Sequence, residues 1–561
     1  MSIYKVIKNI STKKLGIYGN PTELPADARS ADLAYVSSVG RLYVHTGTGW
    51  LPIISDNAVP TWLSKPAATE TILIGNTFEY TLAYVDPENI NGTFTYQLSA
   101  GSLGNNVLTT DNENFSIQAV EPATFSITFR ASDTVNEIIS TTAFTVRTEE
   151  WNVSTSTLND NLSFANTYFG NSLAIDETGT YAIAGAYNYG SPSSSAGKVT
   201  FLKRNGTSWN DLGEKQSSDI SLGDQFGYSV AINEDGTLAV VGAWAADTDS
   251  YINNGAVYVF SRTGDTWTQV HKEHGPAQNN AYFGKSVAIK NNTVFIGAPG
   301  YGTGGRVRTI ITSDGGSTWT GGLDLQPDGT PVAGMLFGET LSVANGSDST
   351  LPNMTVAVGS PGDSSSKGAV FIFDNNNGLW DANTLDGGGT ILTKTKLTGS
   401  YDSAGDQFGS SLSILDGKLI VGVPYSDFNT LEGGLVYEFY YNTTNSSWTE
   451  GALIEPTDPA NYDHFGNSVS LATNTEYPGG VIKDTVVVGA RDKNAAYGYS
   501  YNTATSTYSQ VTKIFPINIS TGDGFGSAVA INGIYGLVGA INRDSTGGTS
   551  NVGEVFHINL G

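Results

Sequence analysis

No cysteine occurs among the 561 residues, which excludes a disulfide framework, thiol catalysis and any cysteine-ligated metal. Histidine is nearly as scarce, and five scattered residues allow no Ser/His/Asp nucleophile arrangement to be assembled. Basic charge is also short: 28 Lys and Arg stand against 53 Asp and Glu, for a net charge of −25. So acidic a body repels nucleic acid and membrane surfaces, and neither is an expected partner. No apolar run reaches the length of a membrane span. The opening Met1-Ser2-Ile3-Tyr4-Lys5 lacks the apolar core of a signal peptide, so membrane insertion and secretion are not expected.

What the chain has instead is a repeat. Phe-Gly recurs at Phe169-Gly170, Phe226-Gly227, Phe283-Gly284, Phe337-Gly338, Phe408-Gly409, Phe465-Gly466 and Phe525-Gly526, at intervals of 57, 57, 54, 71, 57 and 60 residues. A period that regular means one supersecondary unit copied in series. Each copy runs in the same order. In the second, Ser229-Val230-Ala231-Ile232 alternates, Asn233-Glu234-Asp235-Gly236-Thr237 turns, Leu238 to Ala243 is apolar, Gly255 to Phe260 forms a third run and Trp267 opens a fourth. Four short β-runs separated by Gly, Asn and Asp turns make one propeller blade, and seven blades close a ring with no long exposed sheet edge. First strands alternate small and large residues, as in Ser172/Ala174 against Leu173/Ile175, which gives one flat and one bulky face.

A Gly-Ala landmark follows each Phe-Gly: Gly185-Ala186, Gly242-Ala243, Gly297-Ala298, Gly359-Ser360, Gly422-Val423, Gly489-Ala490 and Gly539-Ala540. Together these motifs resemble the FG-GAP repeat of the integrin α-subunit propeller and its microbial relatives, over residues 150–561. The last copy has no Trp strand, whereas Glu150-Trp151-Asn152-Val153 precedes the first Phe-Gly as Ser208-Trp209-Asn210 precedes the second. The segment near Trp151 is therefore expected to supply the outer strand of the seventh blade.

The expected fold is all-β in three parts: a small module in 1–56, an immunoglobulin- or cadherin-like β-sandwich in 57–147 and the seven-bladed propeller in 148–561. Residues 25–54 read as a β-meander and look like a module near the start of virion structural proteins of contractile-tailed marine bacteriophages of the cyanophage type. Alternating runs such as Thr77 to Leu82, Phe94 to Leu98, Phe125 to Phe129 and Ala143 to Val146 carry the sandwich reading. Asp86-Pro87-Glu88 and Ala131-Ser132-Asp133 resemble loops of such modules in phage fibre-like proteins. Residues 1–22 hold Lys5, Lys8, Lys13 and Lys14 with no acid, leaving −29 on the remainder. That basic arm is a candidate anchor to other virion proteins.

The motifs that could carry chemistry are weak. The integrin resemblance implies calcium loops, yet Asp176-Glu177-Thr178-Gly179, Asn233-Glu234-Asp235-Gly236 and Leu415-Asp416-Gly417 hold few carboxylates, and the third repeat has only Asn291-Asn292. These read as hairpin turns, and no metal or cofactor is expected. Thr312 to Trp319 (Thr-Ser-Asp-Gly-Gly-Ser-Thr-Trp) matches the Asp-box of sialidase-like propellers, which raises glycoside hydrolysis as a rival. That chemistry needs clustered arginines, whereas Arg204, Arg262, Arg306, Arg308, Arg491 and Arg543 share no recurrent axial position. Gly300 to Gly305 fits a dinucleotide fingerprint by letter but has no helix after it. His271-Lys272-Glu273-His274 reads as an exposed polar connection.

The remaining candidates are the loops between second and third strands, which share a face with the loops entering each Phe-Gly. They contain Tyr187 and Tyr189, then Trp244, Asp247, Asp249 and Tyr251, then Tyr301, then Tyr425, Asp427 and Phe428, then Arg491 and Asp492, and finally Arg543 and Asp544. Aromatic faces edged by carboxylates suit sugar rings or a protein epitope. The expectation is a non-enzymatic virion structural protein, a fibre or decoration carried on the particle surface, that adheres to a host surface glycan or protein. The alternatives are a sialidase-like depolymerase and a secreted bacterial adhesin.

Overall fold

The computed structural model describes residues 16–560 except 30–31, 38–40, 47, 54–58, 74–76, 87–92, 120–122, 133–135, 148–150, 160–163, 191–194, 249, 328–330, 347–350, 376–392, 475–482, 503–504, 517 and 546–547. The four candidate anchor lysines and Asp249 lie outside the described residues. The chain divides into two compact units, Met1–Thr148 and Glu149–Gly561.

In the first unit, Gly16–Tyr18, Leu33–Val36, Arg41–His45 and Trp50–Ile53 form a sheet in that order. The first pair is parallel and the others antiparallel, so the meander read over 25–54 gains an extra edge strand. Trp50 ties the sheet to the preceding loop by donating its indole N–H to the Pro25 carbonyl at 2.8 Å. Further along, the sheets Val107–Asp111/Asn114–Gln118/Thr77–Thr81 and Thr69–Leu73/Glu137–Arg147/Ala123–Ser132/Thr93–Gly101 face one another as a sandwich. Alternate residues meet in one core, where Phe115, Phe125, Phe129, Phe144, Ile117 and Ile127 are buried. Period-2 apolar placement is what puts those side chains on one face.

The second unit is the propeller. Among the described residues it holds seven four-stranded antiparallel sheets, one per Phe-Gly copy. Blade 1 runs Leu173–Ile175, Tyr181–Ala186, Lys198–Asn205 and Ser208–Lys215. Blade 7 runs Phe525–Asn532, Tyr535–Ala540 and Glu554–Leu560, and its fourth strand is Trp151–Asn159, with Trp151 opposite Leu560 and Asn159 opposite Glu554. Ring closure therefore joins the first strand of this unit to the last. The second strands, buried along their whole length in blades 1, 2 and 3, are continuous apolar runs because both of their faces are covered.

The repeated dipeptides explain how neighbouring blades hold together. The Phe backbone of one copy pairs in parallel with the glycine before the third strand of the preceding blade, as in Gly197 with Phe226 and Gly434 with Phe465. Its ring turns the other way, into its own blade. Phe226 packs on Tyr258 and Phe260, Phe408 on Tyr437 and Phe439, and Phe465 on Tyr497 and Tyr499, with centroids 5.3–6.2 Å apart. The glycine of Gly-Ala is required by crowding: a Cβ on Gly185 would sit 2.0 Å from the Gly227 carbonyl oxygen of the next blade. A hydroxyl three residues after Phe in blades 1 to 6 donates to the equivalent carbonyl of the next blade, as Ser172 does to Gly227 at 2.8 Å, Thr340 to Gly409 at 2.7 Å and Ser468 to Gly526 at 2.9 Å. Blade 7 has Ala528 there, so the junction it makes with blade 1 lacks this bond and keeps the Phe169–Gly553 bridge.

Candidate functional site

The residue before every Phe-Gly lies in the left-handed region. Tyr168, Gln225, Tyr282, Leu336, Gln407 and His464 have φ between 49° and 61°, and Gly524 has 72°. This backbone is costly for non-glycine residues. Its seven-fold use places the residue before Phe and the residue after Gly on one rim of the propeller, beside the residue that follows Gly-Ala.

Along blades 1 to 3 that rim is aromatic. Tyr168 stacks on Tyr187 (5.5 Å between centroids, 22° between planes), Tyr187 meets Tyr228 edge-on at 5.4 Å, Tyr228 meets Trp244 at 5.8 Å and Trp244 meets Tyr282 at 5.1 Å. Five half-buried rings thus form an unbroken row. Burial raises the Tyr187 phenol to about 12, with Tyr168 and Tyr228 adding to it, so its hydroxyl stays neutral. The Lys285 ammonium lies 4.3 Å from the Tyr228 centroid and 4.5 Å from that of Trp244. It pairs with Glu339 of blade 4 at 3.7 Å. Burial holds the Glu339 carboxyl above the usual carboxylate range, and Lys285 partly offsets this. A cation and an acid thus flank the row beside Tyr228 and Trp244, which gives an apolar body a polar margin.

Across the ring, at blades 5 and 6, the rim is polar. Tyr425 stands edge-on to His464 at 4.9 Å. His464 Nδ1 contacts Asp492, its Nε2 lies 3.3 Å from Glu432, and Arg491 pairs with Asp492 at 3.0 Å. Nearby, Phe428 packs on Tyr401 at 4.8 Å, and both are exposed, at 38% and 57%.

Other candidates do not join either cluster. Asp247, Asp427 and Asp544 each occupy the fourth position after their Gly-Ala landmark, and each accepts the backbone N–H of a left-handed residue: Asn253 at 2.6 Å, Glu432 at 2.7 Å and Asn551 at 2.9 Å. They brace loops. Tyr251 closes the same loop in blade 2 through paired backbone bonds with Thr248. Tyr189, Tyr301 and Arg543 occupy the third position and turn inward. Tyr189 covers the Lys198–Glu214 ion pair, Tyr301 covers Arg306 on Asp324, and Arg543 itself pairs with Asp523 and Glu554. The row's remaining members, Tyr168, Tyr228, Tyr282, Lys285 and Glu339, were not among the sequence candidates. The signal that would have found them is the residue on each side of Phe-Gly, read in register across the copies.

The weaker motifs take structural positions. The Asp176 carboxylate accepts from Thr180 N at 2.7 Å, Tyr181 N at 3.0 Å and the Thr178 hydroxyl at 2.6 Å, closing a hairpin as Asn233 does in blade 2. Asp314 of the Asp-box accepts from Ser317 N and Thr318 N within the turn joining Arg306–Ile311 to Thr320–Leu325, and these bonds hold its carboxyl down at about 2. The arginines are dispersed and engaged: Arg204 lies over Tyr535, Arg262 over Tyr181, and Arg306 and Arg308 both bind Asp324. His271 to His274 is corrected from a connection to the end of the strand Thr266–His274, where His271 stacks on Trp319 at 5.8 Å. Its polarity disguised a strand because one face of an outer strand meets water. Among the described residues no group of three or more His, Asp and Glu could hold a metal, and no helix is long and apolar enough to cross a membrane.

The FG-GAP repeat family matches residues 209–260 and 508–558, two segments that each run from the fourth strand of one blade to the third strand of the next. No curated protein sequence matches the chain. Among solved structures, the RRP9 WD40 repeats are 9% identical with a TM-score of 0.44, covering 74% of this chain and 99% of that one. The periplasmic gluconolactonase PpgL of Pseudomonas aeruginosa is 11% identical with a TM-score of 0.41, covering 62% and 85%. Hydrazine synthase of Kuenenia stuttgartiensis is 10% identical with a TM-score of 0.39, covering 69% and 95%. At such distances the chemistry of those proteins does not transfer. The seven four-stranded sheets make the second unit a β-propeller, and two segments of it match the FG-GAP repeat, a combination suited to adhesion or binding.

Proposed function

We propose that the protein is a non-enzymatic adhesive component of a virion, and that its propeller holds a host surface glycan at the aromatic row of blades 1 to 3. The row itself carries this reading. Rings set at successive angles over three blades offer several apolar faces in line, and a sugar chain presents apolar C–H faces edged by hydroxyls at a similar rhythm. Lys285 and Glu339 supply hydrogen-bonding groups beside Tyr228 and Trp244. The dispersed arginines and the turn-bound Asp-box favour binding over hydrolysis. The virion assignment rests on the sequence resemblance of the first unit, with residues 1–56 as the anchor to neighbouring virion proteins.

The test is adsorption of the purified full-length protein to host cells and to extracted surface polysaccharide, with chain length followed after incubation. Saturable binding without shortening of the polysaccharide is expected, and Tyr187→Ala with Tyr282→Ala should abolish it. Depolymerisation would overturn the non-enzymatic reading. Unchanged binding by the double variant would move the site off the row.

A further inference from the structure

One third-strand position separates the blades. Counting four residues from the glycine before the third strand, or from Asn494 that replaces it in blade 6, gives Phe201, Val259, Thr309, Ile372, Glu438, Gly498 and His557 in blades 1 to 7. In blades 1, 2 and 4 this side chain enters the apolar core shared with the next blade. In blade 5 it is an acid, and Glu438 is only 3% exposed. A carboxylate in that setting is costly unless something compensates it. Its one hydrogen bond is from Ala452 N at 3.2 Å, and among the described residues no cation pairs with it within 4 Å. Burial pushes its carboxyl above the usual carboxylate range.

Glu438 does not face solid core. It lines a cavity of about 570 Å³ on the seam between blades 5 and 6, walled by Tyr440, Tyr441 and Tyr501 and bordered by Glu450 and Lys418. Space for the acid is built into the backbone: a Cβ on Gly451 would lie 2.7 Å from Glu438 Oε2. Negative charge exceeds positive, because Lys418 is already paired with Asp484. That same ammonium rests 3.9 Å from the Tyr501 centroid, which shows that this wall accepts such a group. A desolvated acid with tyrosine rings lining the same cavity is an environment that attracts an ammonium ion.

We propose that the seam between blades 5 and 6 is a binding site for a small organic cation with an ammonium head, held by Glu438 and the ring of Tyr440. This site is separate from the aromatic row and independent of the adhesive reading. It is tested by calorimetric titration of the full-length protein with choline chloride, against sodium chloride at equal ionic strength and against 3,3-dimethyl-1-butanol, the neutral isostere of choline. Saturable binding of choline alone is expected, weakened at least about tenfold by Glu438→Gln, which keeps the side chain's shape. Tyr440→Ala, on the exposed wall of the cavity, should weaken it several-fold and provides the test if Glu438→Gln does not fold. No saturable choline binding, equal binding of the neutral isostere, or unchanged affinity in the variant that folds would overturn the proposal.

Discussion

The seams between blades and the rim above them are built from neighbouring residues but obey opposite rules. At a seam, the same residue type recurs copy after copy: Phe with its ring buried in its own blade, Gly under a carbonyl of the next, Ser or Thr donating across. One residue away, on the rim, the same register holds Tyr168, Gln225, Tyr282, Leu336, Gln407, His464 and Gly524. Backbone conformation there is kept while side-chain chemistry is not. Repetition marks what the scaffold needs, and variation at a fixed backbone position marks where the blades are free to differ in chemistry, which is where the proposed glycan site lies.

The largest effect that would break this comparison lies in a seam. Phe465→Ala removes a fully buried ring packed on Tyr497 and Tyr499, and a cost of about 3–5 kcal/mol is expected in denaturant unfolding. A loss near 1 kcal/mol would show that the seams tolerate change as the rim does. Next comes His557, a seam residue that burial holds at about 4, below the usual histidine value. Its folded-state pKa is depressed, so the unfolded chain binds the proton more readily. The contribution is complete above about pH 6.5 and is lost as pH falls towards 4, amounting to about 3 kcal/mol. His557→Gln should flatten that part of the stability profile, and an unchanged profile would place the acid sensitivity elsewhere.

Smaller changes sharpen the comparison. Ser229→Ala deletes the hydroxyl bond to Gly284 and should cost about 1 kcal/mol. Ala528→Ser, which introduces that hydroxyl at the one junction lacking it, should recover part of such an amount, with both read as shifts in melting temperature. Rim substitutions come last on this scale: Tyr282→Ala should change stability by about 1 kcal/mol or less while weakening glycan adsorption about tenfold, about 1.4 kcal/mol of binding. A rim variant that unfolds the protein would make the row a structural element.

Much of this scaffold was legible in the chain, because Phe-Gly and Gly-Ala are fixed by close backbone approach and cannot drift. That the segment near Trp151 supplies the outer strand of blade 7 followed from counting strands per copy, whereas its register did not. Side-chain direction in the irregular loops was not legible. Tyr187 and Tyr189 differ by two residues, yet one joins the row and the other covers a buried lysine. The aromatic row combines residues from before Phe, after Gly and after Gly-Ala, so three separate sequence positions meet only once the blades are stacked. Glu438 was hidden for a related reason. An acid in a β-run reads as solvent-facing until the neighbouring blade is laid against it.

The closing sheet also governs the order in which the ring is made. Six blades are assembled from consecutive strands, so each can pair as its own segment leaves the ribosome. The fourth strand of the seventh blade, Trp151–Asn159, is synthesised before all of them and finds its partner, Glu554–Leu560, only at the very end. Until then it is an unpaired edge on a nascent chain, and closing the ring requires the meeting of the two segments furthest apart in the propeller.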